Sequence, residues 1–284
     1  MLYIDHFKFP NSDQEFSFFM SIKRKCYDNF YPFQVLAKKG FERIDFEPIT
    51  ILYGGNGSGK TSVLNIIAEK LKLDRDSMYN RSSFFETYVD LCDAIILEEI
   101  PLSSKIITSD DVFNYMLDFR ALNEGIDSKR ETLFDEYLDA KYSKFRFNSL
   151  DDYHELKKVT QARSKTQSKY VRTNLMDNVK GNSNGESAFK YFTESIQKPA
   201  LYLLDEPENS LSATRQVELA EYLQAFARYE NCQFIISTHS PFFLSMKNTK
   251  IYDLDESPVA IKKWTELKSM QVYHSFFEKH RMDF

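Results

Sequence analysis

The chain has 284 residues, of which 42% are hydrophobic and 28% are charged, and its formal net charge at pH 7 is -5. This composition suits one large α/β domain, or a core domain with an insertion, and excludes a low-complexity or strongly basic chain. Three widely spaced cysteines without a CxxC pair argue against a disulfide framework, and no apolar run approaches the ~18 residues of a membrane span. The charged N-terminus lacks the apolar stretch of a signal peptide, so the sequence predicts a cytoplasmic protein.

Short strands are predicted in the first part of the chain. Apolar and aromatic side chains predict one strand at residues 3–9 and another at 16–22. A third, partly aromatic run at 31–36 is also read as a short strand. The β-branched run Ile49–Tyr53 stops at two glycines, as a buried strand does when it feeds a glycine-rich loop. Residues 62–73 then have the apolar spacing of a helix.

The middle of the chain is less regular, and order returns after residue 186. Helical segments are predicted around 84–98, 111–121, 130–141, 187–197 and 214–229, and buried strands at 200–204 and 234–236. Alternating apolar strands and helices predict an α/β fold with a mostly parallel sheet that is covered on both faces.

Residues 54–61 read GGNGSGKT and fit the phosphate-binding loop GxxxxGK[ST]. Glycines let the backbone point its N–H groups at phosphates, and the following helix aims its positive end at the same place. Lys60 supplies an ammonium for the β and γ phosphates, and the Thr61 hydroxyl supplies a ligand for Mg²⁺. A chance glycine-rich turn is the alternative, but the position between a strand and a helix favours the phosphate loop. The predicted nucleotide-binding residues are Gly54, Gly55, Asn56, Gly57, Ser58, Gly59, Lys60, Thr61 and Ser62.

Acidic residues and a histidine follow two of the predicted strands. Asp205 is expected to hold Mg²⁺ through a water molecule, and Glu206 is expected to polarise the attacking water. The alternative is a strand that ends in ordinary surface acids, which the phosphate loop disfavours. His239 ends the next strand, where a neutral imidazole can contact the γ-phosphate or the attacking water. Lys60, Glu206 and His239 are therefore the predicted catalytic residues.

A second anion site is predicted at residues 182–187, which read NSNGES before a helix. Ser183 and Gly185 offer a hydroxyl and a backbone N–H at the helix N-terminus. The alternative is a capping box in which Ser183 is the N-cap and Glu186 completes the box, and both interpretations can hold together.

Taken together, these motifs resemble those of the ABC-type ATPases of the P-loop NTPase superfamily. Residues 205–212 look like the Walker B strand end and D-loop, His239 falls on the switch histidine, and 183–187 look like a variant signature motif with Glu186 where Gln is usual. The sequence is similar to small stand-alone ATPases of the SMC-like and OLD-like branch, whose signature reads S-H-G-E-S. Their C-terminus carries a segment like residues 270–273 before a short final helix. The resemblance covers residues 45–73 and 180–284.

This resemblance implies a single ABC-type ATPase domain over residues 1–284. It would comprise an N-terminal antiparallel β lobe with Walker A at 1–73, a helical insertion at 74–180, and the signature, Walker B, D-loop and switch histidine at 181–284. The implied cofactors are ATP and Mg²⁺. The implied assembly is a head-to-tail homodimer in which Ser183, Gly185 and Glu186 contact the partner's ATP. The family association also implies an unidentified protein partner in a phage-defence or toxin system.

The sequence departs from the family pattern at the Q-loop, because no Gln occurs between Thr61 and Gln161. Residues 108–113, TSDDVF, look like the acidic segment that the small ATPases have there. Ser109 or Asp110 would take the Q-loop role, and Asp110 is a further candidate Mg²⁺ ligand beside Thr61 and Asp205. The candidates for an aromatic residue that stacks on adenine are Phe33, Phe46 and Tyr53.

Three functions remain open from the sequence. The first is an ATP-dependent dimerising switch. The second is a nucleic-acid-processing ATPase, because residues 141–180 carry ten Lys or Arg, four Asp or Glu and several interleaved aromatic residues. A solvated charged helix face is the alternative interpretation of that stretch. The third is a transporter ATPase, which the SMC-like signature and the missing Q-loop glutamine disfavour.

Overall fold

The computed structural model describes residues 1–23, 26–145, 152–176, 184–196 and 199–283. The chain forms two compact units, one of Met1–Phe113 with Asn184–Phe284 and the other of Asn114–Ser183. Among the described residues, no helix combines the length and the apolar character that a bilayer crossing requires.

A six-stranded sheet forms the centre of the first unit. Its strands are β3 (Ile49–Tyr53), β5 (Lys105–Thr108), β6 (Leu201–Asp205), β7 (Gln233–Ser237), β8 (Lys250–Asp253) and β9 (Ala260–Ile261). Their order is β5-β6-β7-β3-β8-β9, and every neighbouring pair is parallel except β8 with β9. All residues of β3, β6 and β7 are buried, which requires cover on both faces because successive side chains point to opposite sides. The predicted mostly parallel sheet is confirmed.

The register of the parallel strands brings their carboxyl ends to one edge of the sheet. Asp205 pairs with Thr108 on one side and with Ser237 on the other, and Leu52 also pairs with Ser237. The glycine loop, the acidic residues after β6 and the histidine after β7 therefore leave the sheet side by side. This edge is where open α/β sheets bind their ligands.

A three-stranded antiparallel sheet forms an N-terminal β lobe, but its third strand lies at Asp93–Ile96, beyond the predicted bounds 1–73 and inside the predicted helical insertion at 74–180. Its strands are β1 (Ile4–Lys8), β2 (Arg43–Asp45) and β4 (Asp93–Ile96), in the order β2-β1-β4. The buried side chain of Gln233, at the start of β7, joins this sheet to the parallel one. Its Oε1 accepts hydrogen bonds from the N–H groups of Tyr3 (2.7 Å) and Ile4 (3.1 Å), and its Nε2 donates to the Ile4 carbonyl at 3.0 Å.

Helices make up most of the remaining described structure. In chain order they are α1 (Ser12–Ser21), α2 (Lys60–Leu71), α3 (Phe85–Leu91), α4 (Ser109–Tyr142), α5 (Tyr153–Ser164), α6 (Gln167–Asn174), α7 (Asn184–Ser195), α8 (Ala213–Tyr229), α9 (Pro241–Leu244) and α10 (Lys268–Lys279). The helices predicted at 111–121 and 130–141 are parts of the single helix α4. The helices and strands predicted after residue 186 are confirmed to within a few residues.

Four local predictions were wrong. Residues 16–22 lie mostly in helix α1, because Asn11 and Gln14 form a capping box that starts a helix. Residues 31–36 form turns rather than a strand, and the helix predicted at 84–98 ends at Leu91, after which β4 pairs with β1. Residues 270–273 lie within α10 rather than before a final helix.

The second unit has its own small hydrophobic core. Side chains of α4, α5 and α6 form it, and the buried members are Leu133, Tyr137, Ala140, Val159, Ala162, Tyr170 and Val171. The rings of Tyr137 and Tyr170 pack with their centroids 5.5 Å apart. The apolar side chains of α5 and α6 pack into this core, so the described basic residues of these two helices lie on a folded unit.

Candidate functional site

The glycine loop runs from the end of β3 to the start of α2, as its motif requires. Gly57 and Gly59 have φ angles of 78° and 101°, which favour glycine, and Gly59 is the N-cap of α2. A Cβ on Gly54 would lie 2.7 Å from Ser58 Oγ, so the loop closes too tightly there for a side chain. The loop forms one side of a groove of about 460 Å³, whose lining also includes Tyr31, Val35 and Glu206.

Lys60 lies folded back over this loop and is 4% exposed. Its ammonium donates to the carbonyl oxygens of Gly54 (2.8 Å) and Gly55 (3.4 Å). It also lies 2.8 Å from His239 Nε2 and 3.6 Å from Glu206 Oε1. The buried charge is therefore held by a ring of acceptors at the sheet edge.

The contact with Lys60 fixes the chemical state of His239. An ammonium can only donate, so Nε2 of the imidazole is the acceptor and the ring proton lies on Nδ1. Burial and the charge of Lys60 lower the pKa of His239, although Glu206 and Asp255 oppose the shift. The histidine is therefore neutral at pH 7 and can accept or pass a proton.

Asp205 and Thr61 form the part of the site that suits a magnesium ion. Thr61 Oγ1 donates to Asp205 Oδ2 at 2.8 Å, and Ser237 Oγ donates to Asp205 Oδ1. Burial raises the pKa of Asp205, and the two hydroxyl hydrogen bonds oppose that shift. A hydroxyl and a carboxylate are the hard oxygen ligands that Mg²⁺ takes beside phosphate groups, so these residues fit the ion. Among the described residues, no group of three or more His, Cys, Asp or Glu could hold a metal by itself.

Glu206 occupies a left-handed backbone conformation with φ of 50°. This conformation costs about 1 kcal/mol for a residue other than glycine, and it turns the chain sharply after β6. The Glu206 N–H donates to the Ser237 carbonyl at 3.0 Å, and Asn209 Nδ2 donates to Glu206 Oε2 at 3.2 Å. The carboxylate is 30% exposed and faces the groove, where it can contact water.

Sequence reasoning missed the contacts of Glu208, although the residue lies in the segment likened to a D-loop. Glu208 Oε1 accepts hydrogen bonds from Thr238 Oγ1 (2.7 Å), the His239 N–H (2.6 Å) and the Ser240 N–H (3.2 Å). Burial raises the pKa of this carboxyl group, and the hydrogen bonds from His239 and Thr238 oppose the shift. The only signal in the sequence is a third acid shortly after Asp205.

Two further contacts at the loop carry no sequence motif. The Gly55 N–H donates to both carboxylate oxygens of Asp255, at 2.8 and 2.9 Å, and Asp255 follows β8. Tyr31 OH donates to Ser62 Oγ at 2.9 Å. Both partners lie far along the chain from the loop, so only the fold brings them to it.

The predicted signature residues are only partly described. Ser183 lies outside the described residues, whereas Gly185 and Glu186 lie in the first turn of α7. A Cβ on Gly185 would lie 3.4 Å from the Ser210 carbonyl oxygen, and Glu186 lies 3.8 Å from Arg215. The described lining of the groove contains no residue of α7. The start of α7 therefore packs against the turn before α8 rather than against the glycine loop.

The acidic segment after β5 lies beside Asp205, because Thr108 pairs with it in the sheet. Asp111 is buried and its Oδ2 accepts from the N–H (2.7 Å) and hydroxyl (2.9 Å) of Thr108. Asp110, the candidate ligand, is exposed, and Ser109 is half-buried. No hydrogen bond of either residue to Thr61 or Asp205 is found within the described part of the chain.

The three aromatic candidates for adenine stacking lie in the core. Phe33 is 4%, Phe46 is 3% and Tyr53 is 5% exposed. Phe33 is already stacked on Phe18 with centroids 4.0 Å apart. None of the three presents an open ring face to the groove, so this expectation is not supported.

Two protein-family models match parts of this chain. The family model described as "ABC transporter" matches residues 43–209, more than half of the chain, and the model described as "AAA ATPase domain" matches residues 183–244. An uncharacterized ABC transporter ATP-binding protein/permease of Saccharomyces cerevisiae is 27% identical over 203 residues. The match covers 69% of this chain but 14% of that protein, so the chain spans a small part of its relative's length.

Solved structures of low sequence identity are also similar. One is a dimeric post-hydrolysis state of an ATP-binding cassette bound to ADP and Pi, with 11% identity, coverage of 79% of this chain and 90% of that chain, and a TM-score of 0.36. Another is an Smc head domain with an extended coiled coil, bound to the C-terminal domain of ScpA and derived from Pyrococcus furiosus. It has 14% identity, coverage of 82% and 94%, and a TM-score of 0.39.

Proposed function

Because the chain belongs to the ABC transporter family and is a P-loop NTPase of the ABC ATPase type, we propose that it binds ATP with Mg²⁺ and hydrolyses it as an ATP-dependent dimerising switch. One observation carries the chemical part of this proposal. Lys60, Asp205, Glu206 and His239 meet at one edge of the parallel sheet, beside a glycine loop that opens onto a groove. Phosphoryl transfer needs little from a protein beyond positioning and charge, and these residues supply both.

Each residue has a role that its contacts support. The Lys60 ammonium, now held by carbonyl oxygens, would exchange them for phosphate oxygens. Thr61 and Asp205 would hold the magnesium ion, with Asp110 as a further candidate, and the ion would neutralise developing charge on the phosphate oxygens. Glu206 would polarise the attacking water, and neutral His239 would hold that water or the terminal phosphate by a hydrogen bond.

The second part of the proposal concerns two chains. Gly185 and Glu186 pack against the turn before α8 and do not line the groove of their own chain. They would therefore serve the nucleotide of a second copy, together with Ser183. An isologous two-fold dimer would bury two ATP molecules, and hydrolysis would reopen it. A protein partner in a phage-defence or toxin system would read the two states.

The chemical part is tested with two substitutions at the site. Lys60→Ala removes a strong cation, so ATP binding should weaken and hydrolysis should stop. Glu206→Gln keeps the size of the side chain but removes the base, so binding should persist while turnover falls by about 10²–10⁴-fold. Binding is measured with a fluorescent ATP analogue and turnover by phosphate release.

Matched controls use exposed residues of α10. Lys279→Ala and Glu278→Gln make the same chemical changes away from the groove and should leave both readouts unchanged. If purified Lys60→Ala hydrolysed ATP at the wild-type rate, the assignment of the phosphate loop would be wrong.

Nucleic-acid binding is the second candidate, and the second unit provides the observation that favours it. Its exposed side chains Lys157, Lys158, Arg163, Lys169 and Arg172 have no carboxylate within 4.0 Å among the described residues. Basic side chains of α5 and α6 that form no ion pair with a described residue suit a polyanion. Residues 146–151 and 177–180 of the basic stretch lie outside the described part of the chain.

This candidate is tested by charge reversal. Lys157, Lys158, Arg163 and Lys165 are changed to Glu, and binding to a labelled duplex and a labelled single strand is followed by polarisation. Binding by the wild type should weaken steeply with salt through counterion release and should be lost in the variant. Reversal of Lys8, Lys23, Lys247 and Lys279 is the control, and absence of wild-type binding at low salt with ATP present would rule this candidate out.

A further inference from the structure

Glu208 is placed to connect two loops that sequence motifs treat separately. It lies in the turn between β6 and α8, while the residues that it contacts follow β7. Three donors converge on its Oε1, from the side chain of Thr238 and from the backbones of His239 and Ser240. The shortest of these is the His239 N–H, at 2.6 Å. A carboxylate that receives several charge-assisted hydrogen bonds holds its donors more tightly than a neutral acceptor would.

The ring of His239 extends from the backbone that Glu208 contacts. Its Nε2 lies 2.8 Å from the Lys60 ammonium, so the position of the ring depends on the backbone that Glu208 holds. Oε1 is fully used by its three donors, and Oε2 is enclosed without a partner among the described atoms. Glu208 is not among the described residues that line the groove, so the geometry favours a positioning role for it.

The turn that carries Glu208 also reaches the surface. Asn209 and Ser210 are exposed, and Ser210 has a left-handed backbone with φ of 71°. The Ser210 carbonyl lies against Gly185 at the start of α7. Glu208 precedes this exposed turn in the chain and accepts a hydrogen bond from the backbone of His239.

We propose that Glu208 is a positioning residue that sets the His239 imidazole against Lys60. The proposed placement of the imidazole is argued only from the hydrogen bonds of Glu208 and from the contact of His239 with Lys60. Its consequence for catalysis rests on the proposed function.

The first readout is the imidazole of His239 in the nucleotide-free protein. The chain has five histidines, and comparison with His239→Ala assigns the relevant signals in ¹⁵N-histidine NMR spectra. Wild type should show the tautomer with the proton on Nδ1 and an accepting Nε2. Glu208→Ala should lose that signature, whereas Glu208→Gln keeps an oxygen acceptor and should retain most of it. Glu221→Ala, an exposed change on α8, is the control.

The second readout separates positioning from binding. In Glu208→Ala, kcat should fall by about 10–100-fold, as expected for a misplaced catalytic group, while KM for ATP changes little. Glu208→Gln should recover most of the rate. If Glu208→Ala does not fold, Thr238→Val is the substitute test. It removes one of the three donors and leaves the carboxylate in place, so kcat should fall by less than is expected for Glu208→Ala.

The two measurements distinguish a failure of the positioning role from a failure of the proposed ATPase function. Unchanged His239 signals in Glu208→Ala, or a raised KM with an unchanged kcat, would overturn the positioning role. If wild type hydrolyses no ATP but the imidazole signature still depends on Glu208, the positioning role stands and the proposed ATPase function is wrong.

Discussion

The arrangement around Lys60 shows how a buried charge is kept available for a ligand. Its ammonium is almost fully enclosed, yet its partners are two carbonyl oxygens, a neutral imidazole and a carboxylate at 3.6 Å. A short, fully formed ion pair would hold the lysine against exchange, whereas weak neutral acceptors satisfy its protons at little cost. The same side chain can therefore turn to phosphate oxygens without breaking a strong pair.

Single residues were found from the sequence where a motif fixes both their type and their neighbours along the chain. Lys60 and Thr61 follow the glycines directly, and Asp205 and His239 end apolar strands, so parallel pairing alone brings them together. Glu208 and Asp255 act through backbone N–H groups about 30 and 200 residues away. Such contacts depend on the conformation of the loops. A sequence pattern cannot predict them, because a Glu or Asp carboxylate can accept a hydrogen bond from any nearby N–H group.

Secondary structure could be predicted for strands that are buried along their whole length. It could not be predicted where a helix-capping interaction decides between a helix and a strand. The strands β3, β6 and β7 are apolar throughout, and their pattern admits few alternatives. Helix α1 has aromatic residues that fit a strand equally well, and a capping box of Asn11 and Gln14 decides the outcome. The helix predicted through residue 98 ends at Leu91, because the residues of β4 that follow pair with β1 as its second antiparallel neighbour.

At the scale of elements, one side chain couples the two sheets of the first unit. Gln233 satisfies the N–H groups of Tyr3 and Ile4 and the Ile4 carbonyl, all of them buried. Gln233→Leu keeps the volume but leaves these groups without partners, so stability should fall by about 3 kcal/mol. Urea unfolding measures the loss, and hydrogen exchange should show faster exchange at Tyr3 and Ile4 while α2 keeps its protection.

The control for this prediction is Gln271→Leu, which makes the same change on the exposed helix α10. It should leave both measurements as in wild type. If Gln233→Leu behaves like this control, the two sheets are held together by apolar packing alone, and the buried amide contributes nothing.

At the scale of the whole molecule, the positions of the groove residues and of α7 support the proposed second copy. The described residues that line the groove are Tyr31, Val35, those of the glycine loop and the start of α2, and Glu206 after β6. The start of α7 contacts the exposed turn at Ser210 instead. In the proposed dimer, both chains would bind the terminal phosphate of ATP, so ATP would hold them together and its cleavage would remove the shared contact.

The sharpest test of this assembly is a cross-link between two differently labelled chains. Asn56→Cys in the glycine loop and Asn184→Cys at the start of α7 are placed in separate chains, each with Cys26→Ser to remove the exposed native thiol. Glu206→Gln is included in both chains so that ATP is trapped. After mixing, a short bis-maleimide should join the two chains only when Mg-ATP is present. The product would have twice the mass of one chain on a denaturing gel, and light scattering should show the same increase without the reagent.

Two controls decide what a positive result means. Ser183→Arg inserts bulk and charge where the second chain is expected, so it should return the mixture to its nucleotide-free state. Asn80→Cys lies on an exposed part of the first unit outside the groove lining, and with Asn184→Cys it should not cross-link under either condition. Because each chain carries one reactive thiol of the pair, a product between Asn56→Cys and Asn184→Cys can form only in trans. A cross-link of equal yield with and without ATP would show a constitutive dimer through this surface, and no product at all would rule out the head-to-tail arrangement.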